Sequence, residues 1–222
     1  MDEFRVLEIK KRVYENNDAQ GSELRKELKK KKTFYMNLMS SPGSGKTTSV
    51  VATIKALQDE FKIGVIEADI DGDVDSYTVA KAGAKVTQLN TGGMCHLDVG
   101  MSKVGLEEIH SDDLDYVILE NIGNLICPAE YDVGAVKNVM ILSVPEGDDK
   151  PLKYPNMFSK VDVLLISKVD TVELFDFDFE AVKQRVQALN PNIKVFPISA
   201  KTGIGMEDWC NWLRFEINEW NR

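Results

Sequence analysis

The stretch Ser40-Ser41-Pro42-Gly43-Ser44-Gly45-Lys46-Thr47-Thr48 concentrates glycines, hydroxyls and one lysine in a short loop. These residue types suit a polyphosphate. Gly43 and Gly45 allow a tight turn whose backbone N–H groups point inward around Ser44, Lys46 brings a cation to the terminal phosphates, and Thr47, followed by Thr48, offers a hydroxyl to Mg²⁺. One position departs from the GxxxxGK[ST] spacing, since Ser40 stands where the first glycine usually does. The flanks supply the context the motif needs. The apolar run Phe34-Tyr35-Met36-Asn37-Leu38-Met39 leads in, and a helix-like stretch from Ser49 to Leu57 leads out. Strand, glycine loop and a helix N-terminus aimed at the charge are therefore expected.

Mg²⁺ needs oxygen ligands beside Thr47. Asp69 follows Val65-Ile66-Glu67-Ala68 at a strand end, Asp75 lies just beyond, and Glu120 ends Tyr116-Val117-Ile118-Leu119. These carboxylates are the candidates, with Thr47, Asp69 and Glu120 as the Mg²⁺ set, and Gly123 can offer its N–H to the terminal phosphate. Glu67, Asp71 and Asp73 read as solvated loop charges. Further along, Ser167-Lys168-Val169-Asp170 looks like the Asn-Lys-x-Asp guanine reader of P-loop GTPases with serine in place of asparagine. Asp170 can accept from N1–H and the 2-amino group of guanine; adenine would leave it unmatched, a loss of about 1–3 kcal/mol. Lys168 would lay its stem along the base. Ser199-Ala200-Lys201 resembles the SAK element that meets guanine O6. The set favours GTP/GDP over ATP.

The elements that must position these residues alternate along the chain. Strands are expected at Ile63 to Ile66, Lys85 to Leu89, Tyr116 to Leu119, Asn138 to Leu142, Val163 to Ile166 and Val195 to Ile198. Helices are expected at Ser44 to Glu60, Asp75 to Ala82, His96 to Ile109, Phe179 to Leu189 and Met206 to Trp220. This alternation predicts an α/β fold, a P-loop NTPase with a mostly parallel β-sheet flanked by helices on both faces. Residues 33–222 read as one domain, preceded at 1–32 by a charged helical segment with possible breaks at Asn16-Asn17 and Gly21. Its basic cluster, from Arg25 to Lys32, reads as a solvated face. With 222 residues and 43% hydrophobic content there is material for one sizeable core. The net charge of −9 argues against nucleic acid as the partner. Three cysteines suit a reducing compartment better than a disulfide framework, and neither a signal peptide nor a membrane span is read, so a cytoplasmic protein is expected. No arginine occurs between Arg25 and Arg185. Slow intrinsic hydrolysis follows, roughly 10³–10⁵-fold below an arginine-assisted rate.

Thr91-Gly92-Gly93-Met94-Cys95-His96-Leu97-Asp98 places a cysteine beside a histidine near a helix start, and Cys127 follows in Asn124-Leu125-Ile126-Cys127-Pro128. Two thiolates and an imidazole form a soft set suited to Zn²⁺ or Ni²⁺, although spacing alone favours ordinary packing or surface roles. Taken with Ser40 to Thr47 and Glu67-Ala68-Asp69, the runs Cys95 to Asp98 and Glu120 to Pro128 closely resemble the hydrogenase nickel-incorporation GTPase family, HypB, from about Lys32 to Trp220. The resemblance implies a metal-binding GTPase that delivers nickel during maturation of [NiFe]-hydrogenase. It also implies Ni²⁺ or Zn²⁺ ligation by Cys95, His96 and Cys127, a GTP-dependent homodimer, and hydrogenase maturation proteins and the hydrogenase large subunit as partners. A urease-type nickel-insertion GTPase, or a P-loop kinase or ATPase with structural Cys and His, is the alternative; the adjacent Cys95-His96 pair favours the hydrogenase branch. Residues 1–33 contain no His and no Cys, so the N-terminal nickel store of some members is not expected. Ser167 in place of asparagine predicts looser loop anchoring. Cys127 lies four residues past Gly123, on the segment expected to respond to the γ-phosphate. Adjacent side chains such as Cys95 and His96 splay apart in most conformations, so a two-fold dimer is expected to complete the metal shell.

Overall fold

The apolar runs assemble into one sheet. In the computed structural model, which describes residues 9–69 and 74–222 and the side chains of 14–68 and 76–222, seven strands are all parallel. They are β1 (Phe34–Ser40), β2 (Ile63–Asp69), β3 (Lys85–Asn90), β4 (Tyr116–Gly123), β5 (Lys137–Ser143), β6 (Val163–Ser167) and β7 (Lys194–Pro197), in the order β3-β2-β4-β1-β5-β6-β7. The expected "mostly parallel" sheet is thus parallel throughout these strands. Every residue of β1 and β6 is buried, which explains why they read as near-continuous apolar runs: helices cover both faces.

The helices are α1 (Ile9–Lys31), α2 (Lys46–Leu57), α3 (Val74–Lys81), α4 (Val99–Glu108), α5 (Lys150–Lys153), α6 (Pro155–Ser159), α7 (Phe179–Leu189) and α8 (Met206–Asn221). Side chains alternate across β1. Phe34, Met36 and Leu38 join Ile54 and Leu57 of α2 and Trp209, Leu213 and Ile217 of α8. Tyr35 faces the other way, into a cluster with Leu24 and Leu28 of α1, Leu97 and Leu119. A third cluster sets Met140, Leu142 and Leu164 against Met157, Phe158, Val182 and Val186. No described helix is long and apolar enough to cross a membrane.

Three expectations are corrected. First, α1 is continuous through Asn16-Asn17 and Gly21. Tertiary contacts override weak local propensity there: Asn17 is buried and bonded to the first residue of α4 and to the loop at Asp132, and a Cβ on Gly21 would meet the Asp132 carboxylate at 2.3 Å. Gly21 is there for close approach. Second, α4 begins at Val99 rather than His96, because the Asp98 carboxylate accepts from Met101 N (2.9 Å) and caps the helix. Cys95 and His96 therefore sit in the preceding loop. Third, the short helices α5 and α6 were not anticipated; Pro151 and Pro155 in their first turns fit N-terminal helical positions.

Trp209 is the largest side chain sealed in the core. It is 1% exposed, donates from Nε1 to Thr53 Oγ1 (3.0 Å) and stacks on Trp212 with centroids 5.4 Å apart. Trp209→Ala is expected to cost about 3–5 kcal/mol, read as a lower midpoint in urea unfolding with the slope unchanged. Nearby Cys210 is buried, and burial pushes its thiol up to about 11; it is packing material.

Candidate functional site

The loop after β1 opens a cavity of about 550 Å³ beyond the carboxyl ends of the strands, where parallel sheets hold ligands. Gly43, Gly45, Lys46, Thr47, Thr48, Glu120, Gly123 and Lys168 line it, with Glu67 and Asn121. Gly45 has φ 95°, a left-handed conformation that glycine adopts without steric cost, and it caps α2 so that the helix N-terminus meets the cavity. Ser40 explains its departure from the glycine motif. It is still part of β1, wholly buried, and its hydroxyl accepts from Lys46 Nζ (3.0 Å). Ser44 lies beneath the loop, donating to the Ser41 carbonyl (3.0 Å).

The carboxylates divide into two groups. Glu120 is 4% exposed and accepts from Thr47 Oγ1 (2.8 Å). Glu67, read from sequence as a loop charge, lies inside β2, is 4% exposed and stands directly opposite Glu120 in the β2–β4 register. Two buried carboxylates and a threonine hydroxyl on one wall form an all-oxygen donor set of the kind Mg²⁺ takes. The signal in the sequence was an acidic residue in mid-strand. Asp69 ends β2 and Asp75 lies at the start of α3, but their side chains lie outside the described residues, as do Asp71 and Asp73 altogether.

Beside this cavity is a second, of about 260 Å³, lined by Gly45, Thr48, Ser167, Lys168, Asp170, Ser199, Ala200 and Lys201. Residues scattered over the chain thus form a two-chamber groove sharing Gly45, Thr48 and Lys168. Ser167 is buried and its hydroxyl donates to the Ser44 carbonyl (2.7 Å), so the loop is anchored despite the missing amide. Lys168, at φ 59°, donates to the Gly43 carbonyl (2.7 Å). Asp170 lies in a short 3-10 helix (Val169–Leu174) with its side chain exposed to the chamber. The Ser199 turn closes with Gly203 N donating to Ser199 O (2.8 Å).

Under the groove runs a row of asparagines that the sequence did not advertise. Asn121 Nδ2 donates to Asn37 Oδ1 (2.9 Å), and Asn37 Nδ2 donates to Asn138 Oδ1 (2.9 Å). The register of β4 on β1 slips here: Leu38 faces Glu120, whereas Ser40 faces Gly123. The extra residue is a bulge, closed by Ile122 N donating to Asn121 Oδ1 (2.8 Å). Beyond it β4 ends at Gly123, and the chain continues to Cys127.

At that point the two sulfurs meet. Cys95 Sγ lies 2.9 Å from Cys127 Sγ, and His96 Nδ1 is 3.8 Å from Cys95 Sγ. The expected splaying of Cys95 and His96 is not observed: in the loop before α4 both side chains turn to one side, 3.8 Å apart. The hydrogen-bonded Cys95 sulfur, and then burial, push the Cys127 thiol up. His96 stacks on Tyr131, centroids 3.7 Å apart and planes 14° apart, and Asn124 Nδ2 donates to the Cys95 carbonyl (3.4 Å). Among the described residues no group of three or more His, Cys, Asp or Glu side chains is arranged to hold a metal ion. The donors are soft and adjacent, but their shell is open.

The chain is similar to known proteins in sequence and fold. The family described as CobW/HypB/UreG, nucleotide-binding domain, matches residues 34–197. The hydrogenase maturation factor HypB of Rhizobium leguminosarum bv. viciae is 39% identical over 213 residues, covering 96% of this chain and 71% of the relative. A crystal structure of HypB from Helicobacter pylori in complex with nickel superposes with a TM-score of 0.85 at 39% identity, covering 92% of this chain and 96% of the other. HypB from Archaeoglobus fulgidus gives 0.84 at 35% identity, covering 91% and 98%. With the glycine loop, the two-chamber groove and the Cys-His turn all in place, the chain belongs to the HypB family of hydrogenase maturation factors.

Proposed function

We propose that this protein is a GTP-hydrolysing nickel carrier, acting in the cytoplasm as a GTP-dependent homodimer that hands its cargo to hydrogenase maturation proteins or the hydrogenase large subunit. One observation carries the reading: Glu120 and Gly123 line the phosphate cavity, and the same segment continues to Cys127, whose sulfur contacts that of Cys95. Occupancy of the cavity and geometry of the thiol pair share one stretch of backbone.

The loop N–H groups and the α2 N-terminus receive the phosphates, and Lys46, resting on the Ser40 hydroxyl, moves to the γ-phosphate. Thr47 and Glu120 would hold Mg²⁺, with Glu67 beside them; when bound, the ion neutralises the charge on the β- and γ-phosphates. Gly123 offers its N–H to the γ-phosphate, so hydrolysis releases the β4 end. Among the described residues the cations lining the cavity are Lys46 and Lys168. Arg25, Arg185 and Arg214 pair with Asp132, Asp148 and Glu60 instead, which supports slow turnover without a partner.

Asp170 sets base choice. Asp170→Asn is expected to weaken GTP binding about 10- to 100-fold, because its amide would face the guanine N1–H donor, while xanthosine triphosphate binds better than to the parent protein. Competition titration of a fluorescent nucleotide reads both. The functional reading as a whole is tested by Ni²⁺ titration with and without a non-hydrolysable GTP analogue, with dimer formation followed in parallel. Affinity and stoichiometry that change with nucleotide are expected; identical nickel binding in both states would overturn the coupling.

A further inference from the structure

Asparagine in a helix interior is unfavourable, because its amide competes for backbone hydrogen bonds. Asn17 nevertheless sits within α1, and it is only 7% exposed. Its amide bridges the two segments that carry the thiols. Asn17 Oδ1 accepts from Val99 N (3.0 Å), three residues beyond His96, and Asn17 Nδ2 donates to the Asp132 carbonyl (2.8 Å), five residues beyond Cys127.

The same helix grips the second segment twice more. Arg25 donates two guanidinium bonds to the Asp132 carboxylate, 3.0 and 2.6 Å, and a third to the Ala135 carbonyl (3.1 Å). Tyr14 packs edge-on to Tyr131, centroids 5.0 Å apart, and donates to Glu130 Oε2 (2.7 Å), while the other face of this arrangement is the Tyr131 stack on His96. Cys95 and Cys127 are separated by 32 positions in sequence. Direct links between the two loops are the contact between their sulfurs, the Asn124 bond to the Cys95 carbonyl and the His96–Tyr131 stack; α1 adds a bridge from outside them.

We infer that Asn17 is a positioning residue for the metal cargo: α1 is a strut that fixes the spacing of the Cys95-His96 and Cys127 loops. The inference rests on the proposal that Cys95, His96 and Cys127 bind the metal. Outer partners that orient ligands are typically worth 10- to 100-fold in metal affinity. The strut also has a mechanical consequence. With Asp132 tied to α1 and Asn121 tied to Asn37, movement driven from the phosphate cavity is confined to the residues between, which include Cys127.

The test uses the whole chain with Co²⁺ and Ni²⁺ as probes. Asn17→Ala is expected to weaken binding of both ions 10- to 100-fold and to reduce the thiolate-to-metal charge-transfer absorption per bound ion, while GDP affinity stays at the parent value. Tyr131→Leu, which removes the His96 stack and leaves the Asn17 bridge in place, is the second variant, expected to shift the ligand-field spectrum with the sulfur bands retained. Retained GDP binding establishes that each variant is folded. If Asn17→Ala binds the ions with the parent affinity and the parent spectra, the strut is overturned while the metal site stands, whatever Tyr131→Leu does. If the parent itself shows no thiolate-to-metal band, or Cys127→Ala binds as well as the parent, the metal reading fails and takes the strut with it.

Discussion

Lys46→Ala is expected to lower the single-turnover rate of GTP hydrolysis by about 10²–10³-fold, the usual loss when one preorganised charge or donor is removed from a transition state. Among the described residues the lysines lining the cavity are Lys46 and Lys168, and Lys168 is already engaged with the Gly43 carbonyl. Lys46 is therefore the mobile cation. Its present partner, the Ser40 hydroxyl at 3.0 Å, is a neutral acceptor, which a γ-phosphate oxygen outcompetes because a charge-assisted bond is roughly twice as strong. Nucleotide affinity should fall less than the rate, since the loop N–H groups and the α2 N-terminus remain. Rapid-quench measurement of phosphate release, paired with GDP titration, separates the two. A variant that turns over GTP at the parent rate would show that Lys46 does not act on the reacting phosphate.

Cys127→Ala should carry the second large effect, a loss of at least about 100-fold in Ni²⁺ affinity, because on the proposed reading Cys127 is a ligand, and a ligand contributes more than the outer partners that orient it. GTP turnover should be nearly unchanged, since Cys127 lines neither chamber of the groove. The reaction also has a pH signature. The Cys127 thiol is pushed up by its Cys95 partner and by burial, so it holds its proton across neutral pH and must release it when a metal binds. Nickel affinity of the parent protein should therefore rise as pH rises toward the elevated thiol pKa and fall as pH is lowered. Isothermal titration in two buffers of different ionisation enthalpy would count the protons released. Affinity independent of pH, or full binding by Cys127→Ala, would remove the thiol from the site.

The two experiments read the two ends of the proposed coupling. The bulge in β4 at Asn121 and Ile122 lies between the residue that bonds Thr47 and the residue that contacts Cys95. Cys127 itself lies beyond the strand, in the short 3-10 turn Cys127–Ala129 that follows the end of β4 at Gly123. The register slip, closed by Ile122 N donating to Asn121 Oδ1, lies on the stretch that joins the phosphate cavity to Cys127.

The nucleotide groove was legible in the sequence because it is built from short contiguous pieces. A glycine loop between strand and helix, a Lys-x-Asp run and a Ser-Ala-Lys turn carry their chemistry in neighbouring letters, and the parallel sheet brings their ends to one rim. The α/β class was legible for the same reason, through runs of apolar residues separated by helical periods. Other features were not written locally. Glu67 read as a loop charge until β2 paired it with Glu120, and Asn17 read as a helix break until the fold set it between Val99 and Asp132. The sulfur contact between Cys95 and Cys127 likewise depends on where two loops from different strands come to rest. Local sequence determines which groups a segment offers; whether an amide caps, breaks or bridges is decided by partners a hundred residues away, because a buried polar group takes whichever hydrogen bonds the packed chain brings within reach.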